Sequence, residues 1–403
     1  MNFLNLRIHF KNVTLFISLN SNDYDLGSVK MEKTNKVVII GAGPAGIGMA
    51  IALIEMGLDD ILILDKGQVG ESFKNWPLST RFITPSFTTN GFGTPDINAI
   101  TPHSSPAFTF KKEHISGKEY VQYLEALVQI YNLKVDQHTN VLDVSNNIDN
   151  ETYKVYTDHG TIDAEYIFVA TGNFSYPYKP FKHGRHYSEV EKFSDINGEL
   201  AVVIGGNESG FDAALNLALS GKIVDIYTNS TSYKQEDADP SIRLSPYTHQ
   251  RYEELKELGY PIRIHTEHVV KEIEYKNGQY VIQFNGVHDD VKISEEPILA
   301  TGFNPVQHNR LTRILFENDG TNFMLTDDDE STINPNVFMI GDTVKHQDVI
   351  LCYIYKFRTR LAVLAKLICD RESFEANEDA IEFYQSNQMF LDDYDCCDVN
   401  CSC

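Results

Sequence analysis

Apolar and polar positions alternate in a way that predicts a strand–helix–strand unit near the start of the chain. The apolar run Val37–Ile40 leads into the glycine-rich segment GAGPAG, and apolar residues then recur at helical spacing until Gly57. A second apolar run, ILILD, closes on Asp65. A glycine after a helical pattern is typical of a helix end, and a short, wholly apolar run is typical of a buried parallel strand. This stretch is therefore predicted to be one βαβ unit.

The same order of elements returns in LAVVIGGNESGFDAALNLALSGKIVDIYT. The pattern predicts a strand over 201–204, a helix reaching about Ser220 and a strand over 223–227. Apolar strands also run into Ala-Thr-Gly at 170–172 and at 300–302, and a late strand meets Gly-Asp at 341–342. The chain is thus predicted to contain two nucleotide-binding domains.

The first glycine segment has the spacing G-x-G-x-x-G at Gly41, Gly43 and Gly46. In this motif the first glycine permits a tight turn, the second lets the backbone approach a pyrophosphate, and the third packs helix on strand. The helix N-terminus then favours the phosphate charge. Asp65 stands where a carboxylate would accept a hydrogen bond from a ribose hydroxyl.

The second glycine segment is a poorer copy of the motif. Gly205 and Gly210 fit, but Asn207 stands at the middle position, and Gly206 is the residue left to allow a close approach. Thr228 closes the next strand, where an acid would favour NAD and a nearby arginine would favour NADP. The choice between NADH and NADPH stays open, and a degenerate domain kept as scaffold is the alternative.

Composition and charge narrow the range of molecules that this protein is expected to bind. The chain has 403 residues, a formal net charge of -23 and a pI of about 4.9. Such an acidic surface repels phosphate backbones and anionic lipid, which excludes nucleic acid and membrane surfaces as partners. Residues 1–30 lack the features of a signal peptide and are predicted to be an overhang ahead of a start at Met31, or else a disordered or loosely docked N-terminal arm. The protein is placed in the cytoplasm. The acidic runs at 236–239 and 327–330 are predicted to be solvated loops.

The two nucleotide-binding patterns, the Ala-Thr-Gly strand ends, the late Gly-Asp and the segment GESFKNWPLSTRFITPS at 70–86 together resemble flavin-containing monooxygenases and related two-domain FAD/NAD(P) flavoproteins. The resemblance runs from Lys36 to Leu391. It implies an α/β fold of two Rossmann-like, three-layer domains, with the NAD(P) domain inserted in the FAD domain. The predicted divisions are an FAD-binding part at 31–175, an NAD(P)-binding domain at 176–299, a second FAD-binding part at 300–390 and a Cys-rich acidic tail at 391–403.

The resemblance also implies which residues meet each cofactor. The expected cofactors are FAD and either NADPH or NADH. The resemblance places the ADP part of FAD at Gly41, Gly43, Gly46 and Asp65, the isoalloxazine at Phe73, Trp76 and Thr84, the ribityl chain at Asp342, and the nicotinamide nucleotide at Gly205, Asn207 and Ser209. The other predicted cofactor-binding residues are Ala45, Lys66, Val141, Ala170, Thr171, Gly172, Gly206, Arg243, Thr301, Gly302 and Gly341. Asn90 and Arg81 are the predicted catalytic residues. Their alternatives are a turn residue before Gly91 and a surface ion pair.

The resemblance implies an FAD-dependent, NAD(P)H-using oxidoreductase of monooxygenase type, in which a hydride passes from nicotinamide to FAD and then to oxygen and a small substrate. The family fingerprint between the domains is altered in FKHGRHYSEV, where His186 is retained, Gly184 is displaced and Val190 replaces an aromatic residue. One alternative is a thiol-disulfide or metal-ion reductase working through the C-terminal tail. Another is a flavin-bearing sensor or metal-binding accessory protein without turnover.

The tail holds four of the six cysteines, at Cys396, Cys397, Cys401 and Cys403, among several aspartates. Thiolates favour soft cations such as copper(I) or zinc, and the carboxylates attract a cation while disfavouring free thiolate. The four cysteines are therefore predicted metal ligands. The alternative is a redox arm that exchanges thiols with an outside partner, with Cys352 as an inner relay or merely a small buried side chain. A small-molecule substrate, a thiol- or metal-handling protein and a second copy in a homodimer are the expected partners.

Overall fold

The computed structural model describes residues 4–10, 13–19, 30–87, 94–147, 152–234, 243–346 and 349–394. The strands in these ranges are β1 (Leu4–Phe10), β2 (Val13–Leu19), β3 (Lys30–Ile40), β4 (Ile61–Leu64), β5 (Val135–Asp136), β6 (Val141–Asn147), β7 (Thr152–Thr157), β8 (Gly160–Val169), β9 (Arg185–His186), β10 (Leu200–Ile204), β11 (Ile223–Thr228), β12 (Ile262–Thr266), β13 (Val270–Lys276), β14 (Gln279–Phe284), β15 (Val291–Ile293), β16 (Ile298–Leu299), β17 (Val337–Met339), β18 (Lys345–His346) and β19 (Val349–Ile350). The helices are α1 (Pro44–Glu55), α2 (Glu71–Lys74), α3 (Pro106–Phe110), α4 (Gly117–Ile130), α5 (Glu208–Leu219), α6 (Pro246–Glu257), α7 (Pro305–His308), α8 (Arg310–Leu315), α9 (Ile354–Arg371) and α10 (Glu378–Ser386).

Five parallel strands form the centre of the first domain, in the order β5-β4-β3-β8-β17. In register, Ile39 of β3 pairs with Ile63 of β4 and with Phe168 of β8, and all three side chains are fully buried. A strand buried on both faces requires an uninterrupted apolar run, which explains the sequences VVII and ILIL. Helix α1 packs against α4 and α9 beside this sheet.

The second domain has its own parallel sheet, in the order β12-β11-β10-β16-β9. Helix α5 covers one face with a buried cluster that includes Phe211 and Leu215. A second buried cluster joins this sheet to the antiparallel strands β13–β15, with Ile282 and Leu299 at its centre. The predicted α/β fold of two Rossmann-like domains is confirmed.

The chain crosses between the two domains twice, at one place. The N–H of Tyr178 donates to the carbonyl of Gly302 at 2.9 Å, and the N–H of Asn304 donates to the carbonyl of Tyr176 at 2.8 Å. His186, buried beside these crossings, donates from Nε2 to the same Gly302 carbonyl at 2.9 Å. The crossings lie close to the predicted boundaries at 176 and 300, and the inserted domain is joined to the rest by two adjacent segments.

Two further predictions meet the structure here. Residues 4–10 and 13–19, predicted to belong to an overhang or to a disordered or loosely docked arm, form the hairpin β1–β2, which pairs with Lys30–Lys33 of β3. The run 327–330, predicted to be a solvated loop, instead contains Asp329 with only 1% of its surface exposed. The prediction holds for Asp327 and Asp328, which are exposed in a turn, but is wrong for Asp329, whose carboxylate is compensated by a buried arginine from α9. The run at 236–239 lies outside the described residues. Within the described ranges, every helix is too short or too polar to cross a bilayer.

Candidate functional site

In the first glycine loop, two of the three glycines are required by close backbone packing and the third faces open space. Gly41 has a φ of +119°, and a Cβ there would overlap the carbonyl oxygen of Ala170, at the end of the neighbouring strand β8. A Cβ on Gly46 would overlap the carbonyl oxygen of Gly41. A Cβ on Gly43 would meet no atom within 4 Å. The open position is the one at which the motif lets a pyrophosphate approach the backbone.

Asp65 stands beside this loop at the end of β4. Its two carboxylate oxygens accept hydrogen bonds from the N–H groups of Ala42 and Gly67, each at 2.7 Å. Burial raises the pKa of Asp65 above its usual range, because desolvation outweighs these two donors. The side chain thus lies next to the glycine turn, with lone pairs still available to a ribose hydroxyl.

A cleft of about 450 Å³ opens between the two domains at the carboxyl ends of the strands. Such an edge is where open α/β sheets bind ligands. Of the predicted cofactor-binding residues, it brings together Gly41, Gly43, Ala45, Asp65, Lys66, Phe73, Trp76, Thr84, Val141, Ala170, Thr171, Gly172, Ser209, Gly341 and Asp342. The remaining predicted residues do not line it: Gly46, Gly205, Gly206, Asn207, Arg243, Thr301 and Gly302.

An aromatic cluster forms one wall of the cleft. The ring of Phe73 lies 4.9 Å from Trp76, 5.5 Å from Phe82 and 4.8 Å from Tyr120, measured between ring centres. Helix α4 can approach Phe73 closely because its first residue, Gly117, has no side chain. A Cβ at that position would overlap the carbonyl oxygen of Phe73. Of these rings, Phe73, Trp76 and Phe82 line the cleft and give it an apolar surface against which a large planar ring system can pack.

Asp342 provides a half-buried acid in the site. Desolvation raises the pKa of Asp342 to about 6, opposed only by a backbone hydrogen bond within the residue itself. A Cβ on Gly172, the glycine of the first Ala-Thr-Gly, would lie 3.7 Å from its Oδ1, and both residues line the cleft. A carboxyl in this position is suited to accept hydrogen bonds from the hydroxyls of a polyol chain.

The second glycine loop repeats the first in its backbone. Gly205 has a φ of +114°, and a Cβ there would overlap the carbonyl of Ala300. A Cβ on Gly206 would lie 2.6 Å from Oγ1 of Thr228, so this glycine is held against the strand end rather than facing the cleft. Gly206, which was expected to let the nucleotide approach the backbone, therefore packs against Thr228 instead. Asn207 is the N-cap residue that precedes α5, and its Oδ1 accepts from Ser230 Oγ at 3.1 Å.

A polar network in the cleft wall was not predicted from the sequence. The carboxylate of Asp212 accepts from Tyr187 at 2.7 Å, from Thr80 at 2.9 Å and from Arg251 at 2.9 Å. Thr80 belongs to the first domain and the other three to the second, so the network joins the two walls. The pKa of the Tyr187 hydroxyl is raised by burial and by the adjacent carboxylate. No short-range pattern marks these residues, because they are dispersed over more than 170 positions of the chain.

A second carboxylate lies beside this network. Glu208 accepts from the Ser245 N–H and from Thr248 Oγ1, the latter at 2.7 Å. Burial raises the pKa of Glu208 despite these donors. Its place at the first residue of α5 was a signal in the sequence, since a carboxylate there favours the helix N-terminus.

The two predicted catalytic residues fare differently. Arg81 lines the cleft, and its Nη1 donates to the carbonyls of Leu78 and Thr80 at 2.9 and 2.8 Å. Asn90 lies outside the described residues. Arg243 lies away from the cleft, with its Nε buried and lacking a hydrogen-bond partner within the described structure.

Cys352 lines the same cleft as Asp342. It precedes Tyr353, the N-cap of the 18-residue helix α9. Free N–H groups at such a helix end favour negative charge nearby. The four tail cysteines lie outside the described residues, and within the described ranges the structure contains no cluster of three or more metal-ligating side chains.

The paired glycine loops, the acids at 65 and 342 and the shared cleft define a class of protein: a two-domain oxidoreductase that binds FAD and a nicotinamide nucleotide. The chain belongs to the pyridine nucleotide-disulphide oxidoreductase family, whose family model matches residues 38–341. FAD and NAD(P)H are the cofactors of this family, as predicted. The resemblance to two-domain FAD/NAD(P) oxidoreductases is likewise confirmed.

The proteins similar to this chain include disulfide reductases and a monooxygenase. Bacilliredoxin reductase of Bacillus subtilis is 26% identical over 302 residues, which cover 70% of this chain and 81% of that protein. The structure of bacillithiol disulfide reductase from Bacillus cereus matches 84% of this chain and 100% of that chain, with a TM-score of 0.65 and 24% identity. A flavin-containing monooxygenase from Stenotrophomonas maltophilia matches 84% and 99%, with a TM-score of 0.64 and 16% identity. The two structural likenesses establish a shared fold.

The residues present fit FAD. Gly43 leaves room at the loop, Asp65 has acceptor capacity beside it, and the aromatic wall and Asp342 lie further along the same cleft. The ADP half would bind at Gly43 and Asp65, the ring system along Phe73 and Trp76, and the polyol chain at Asp342. When bound, FAD accepts a hydride from nicotinamide and passes two electrons to an acceptor.

Proposed function

We propose that the chain is an NAD(P)H-dependent, FAD-bearing reductase of disulfides. The observation that carries this proposal is the thiol of Cys352 in the wall of the cleft, shared with Asp342 and the aromatic wall. A thiol in that wall can exchange with a disulfide, whereas the transfer of oxygen to a small substrate does not involve a thiol. The length shared with the bacilliredoxin and bacillithiol disulfide reductases, which spans both domains, supports the same reaction class.

The proposed net reaction consumes one NAD(P)H and one proton for each disulfide, and releases two thiols. In it, the glycine loop at Gly43 and Asp65 orient the ADP half of FAD, and Phe73 and Trp76 exclude water from the ring system. The network around Asp212 keeps the second domain against this wall. Cys352 is the residue of the described chain that would meet the disulfide.

The test is turnover under nitrogen. The FAD-loaded protein is given NADPH or, separately, NADH, together with cystine, oxidised glutathione, 2-hydroxyethyl disulfide or an oxidised thioredoxin-type protein. We expect at least one disulfide to accelerate nucleotide oxidation, with two thiols released per nucleotide. Cys352→Ser should lose this acceleration while retaining its FAD content. If no disulfide accelerates oxidation by the unaltered protein, the proposal fails.

A monooxygenase is the second candidate. The segment 70–86 favours it, since its aromatic residues form the cleft wall. The altered fingerprint speaks against it, because His186 is a buried link between the domain crossings and lies outside the cleft. Oxygen uptake coupled to conversion of a small nucleophile, with no response to disulfides, would establish this candidate instead. FAD binding without turnover on any acceptor would favour the non-enzymatic alternative.

A further inference from the structure

The first domain contains a second cavity, separate from the cleft. It encloses about 560 Å³, which is within the range of roughly 300–1,000 Å³ usual for sites that bind small molecules. Helices α3 and α4, the loop 94–105, Phe87 and Asn387 contribute to its lining. Among the described residues, none of those predicted to bind FAD or the nicotinamide nucleotide lines it. The reaction proposed above therefore leaves the second cavity without a role.

Apolar side chains line the second cavity and remain open to solvent. Phe108 and Ile130 belong to the lining and are 65% and 74% exposed. Tyr123 and Leu127 also line it and are buried. Hydrating an apolar surface is unfavourable, so contiguous apolar side chains left open around a concavity mark a place where another molecule binds.

The second cavity has little charge to offer a ligand. Asp96 is the only carboxylate among its described lining residues, and it is 6% exposed. Its oxygens already accept hydrogen bonds from the N–H groups of Asn98 and Ala107, both at 3.0 Å, and from Ser105 Oγ at 2.9 Å. The same set of residues contains neither lysine nor arginine. An ionic ligand would therefore lose hydration without gaining a partner of opposite charge, and a neutral ligand avoids this cost.

His103 is the remaining lining residue that can carry charge near neutral pH. Its Nε2 lies 3.7 Å from Oε1 of Glu55, so a charge on the imidazole would be balanced by a residue outside the lining. Its ring lies nearly parallel to that of Phe383, with ring centres 4.4 Å apart and an angle of 16°. Tyr131, another lining residue, donates to the same Glu55 oxygen at 2.6 Å. The lining thus offers aromatic side chains, and these pack well against planar rings.

Hydrogen bonds fix the loop that shapes the second cavity. Nη1 of Arg358, a residue of α9 that is 3% exposed, donates to the carbonyls of Asp96 and Ala99 at 2.5 and 2.7 Å. The hydroxyl of Tyr123, on α4, accepts from the N–H of Ile100 at 3.0 Å. Two helices therefore hold this loop in place before any ligand binds. A preformed site binds more tightly, because its ligand does not have to order the loop.

A buried ring connects the second cavity to the cleft. Tyr123 lines the second cavity, whereas Phe73 and Phe82 line the cleft. The fully buried ring of Tyr120 contacts all three, with ring centres 5.2 Å from Tyr123, 4.8 Å from Phe73 and 4.6 Å from Phe82. Close-packed side chains transmit small displacements to their neighbours. A molecule that shifts Tyr123 therefore shifts the aromatic wall of the cleft.

We propose that the second cavity binds a neutral small molecule with an aromatic ring system, and that its occupancy changes the aromatic wall of the cleft. Volume, an open apolar lining and the lack of an available charge support the ligand class. The ring of Tyr120 supports the coupling. This inference does not depend on disulfide reduction, so its tests and the turnover test of the proposed function succeed or fail separately.

The first test compares two probes that share a ring system. The FAD-loaded full chain is dialysed to equilibrium against 2-naphthol, which is neutral at pH 7, or against 2-naphthoate, which is an anion. We expect 2-naphthol to bind at one site with a Kd of about 100 µM or below, as its size allows. We expect 2-naphthoate to bind at least about tenfold more weakly. Equal affinities, or no saturable binding of 2-naphthol, would overturn the proposal.

Two matched variants locate the bound probe. Ile130→Asp places a carboxylate in the lining, and Leu258→Asp places one at an apolar position in the second domain that is 75% exposed. Both positions lie at the C-terminal end of a helix, α4 in one case and α6 in the other. Ile130→Asp should weaken 2-naphthol binding at least about tenfold and Leu258→Asp less than about twofold, with unchanged FAD content. Equal effects would mean that the probe binds elsewhere and would overturn the site.

A third variant keeps the test decisive if Ile130→Asp does not fold. Phe108→Ala removes a ring from the lining and adds no charge. Because Phe108 is 65% exposed, its loss should leave the fold and the FAD content intact. We expect 2-naphthol to bind at least about threefold more weakly to this variant. Unaltered binding to Phe108→Ala would also overturn the site.

The last measurement tests the coupling to the cleft. 2-Naphthol is added to the FAD-loaded chain, and the visible absorbance bands of the flavin are recorded. We expect a difference spectrum that saturates with the Kd found by dialysis, is retained in Leu258→Asp and is lost in Ile130→Asp. A spectrum that persists in Ile130→Asp would mean that the probe acts in the cleft itself, and would overturn the coupling. The absence of any difference spectrum would overturn the coupling and leave the binding site standing.

Discussion

The two glycine loops share one backbone plan and differ where they face a ligand. In both, the first glycine has positive φ and lies against the alanine carbonyl of an Ala-Thr-Gly strand end, at Ala170 in one case and at Ala300 in the other. In both, the N–H of that alanine donates at 2.8 Å to the strand entering the loop. These are packing requirements of a strand–turn–helix unit, whatever it binds.

The ligand-facing positions diverge. The first loop has an open glycine, Gly43, and a carboxylate, Asp65, that accepts two backbone hydrogen bonds. The second has Asn207 and Thr228, and the threonine is packed against Gly206. Glycines kept for packing therefore indicate the fold, whereas the middle position and the strand end carry the information on the ligand.

The largest expected effect tests the packing half of this comparison. Gly46→Ala and Gly210→Ala each place a methyl group on the carbonyl oxygen of the first glycine of their loop. We expect each to lower the free energy of unfolding by about 3 kcal/mol or more, since backbone cannot retreat as a flexible side chain can. Urea unfolding of the FAD-free protein measures the loss. Gly43→Ala is the matched control and should change it by less than about 1 kcal/mol; a loss as large as that of Gly46→Ala would contradict the comparison.

Exchanging the middle residues tests the ligand-facing half. Gly43→Asn should raise the Kd for FAD about 100-fold, or about 2.7 kcal/mol, because the side chain occupies the space left for the pyrophosphate. Asn207→Gly should change the KM for the nicotinamide nucleotide less than about threefold, since that loop already works with asparagine. Flavin fluorescence titration and steady-state kinetics give the two values. Unaltered FAD affinity in Gly43→Asn would mean that the phosphates bind elsewhere.

Asp342 follows β17 of the first domain, and the raised pKa of its carboxyl can be tested directly. A folded-state pKa of about 6, against 3.8 for an ordinary Asp, means that the folded protein favours the neutral acid. Its contribution to stability is complete below about pH 4 and is lost as pH rises through 6. In the FAD-free protein, Asp342→Asn should therefore gain about 1–2 kcal/mol relative to the unaltered chain between pH 4 and pH 7. Urea unfolding at several pH values checks this, and a difference independent of pH would show that desolvation does not raise the pKa of this carboxyl.

The smallest expected effect concerns Thr228. Its Oγ1 accepts from the N–H of Ser230 at 2.9 Å. Thr228→Val keeps the shape but removes the acceptor, and should lower the free energy of unfolding by about 1 kcal/mol. Thr228→Ser retains the hydroxyl and serves as the control. If Val and Ser behave alike in urea unfolding, the hydrogen bond contributes nothing measurable.

Short-range patterns predicted much of the fold and the first loop. The apolar runs at 37–40 and 61–64 and the glycine spacing at 41–46 specify strand, turn and helix through contacts close in sequence. The proximity of Asp65 to the loop follows, because parallel neighbours end at one edge of the sheet. These features were within reach of the sequence.

Contacts between residues that are far apart in the sequence could not be predicted in this way. The run at 327–330 carries four acids, and nothing in it indicates that Asp329 alone is buried by Arg360 and Tyr394. The network on Asp212 likewise assembles side chains from separate segments, one of them in the other domain. Burial of a charge depends on a compensating group, and that group is chosen by the fold and not by neighbouring residues.

The paired crossings of the chain between the domains have a consequence for modularity. Tyr178 and Gly302 are hydrogen-bonded neighbours, so the two ends left by excising 179–301 would already lie side by side. A short glycine-containing linker would close the gap without stretching the chain. The residues on either side, including the sheet β5-β4-β3-β8-β17 and helix α9, form a continuous buried core of their own. Because both connections lie at one place, the inserted domain could be removed or exchanged as a unit without altering the core of the first domain.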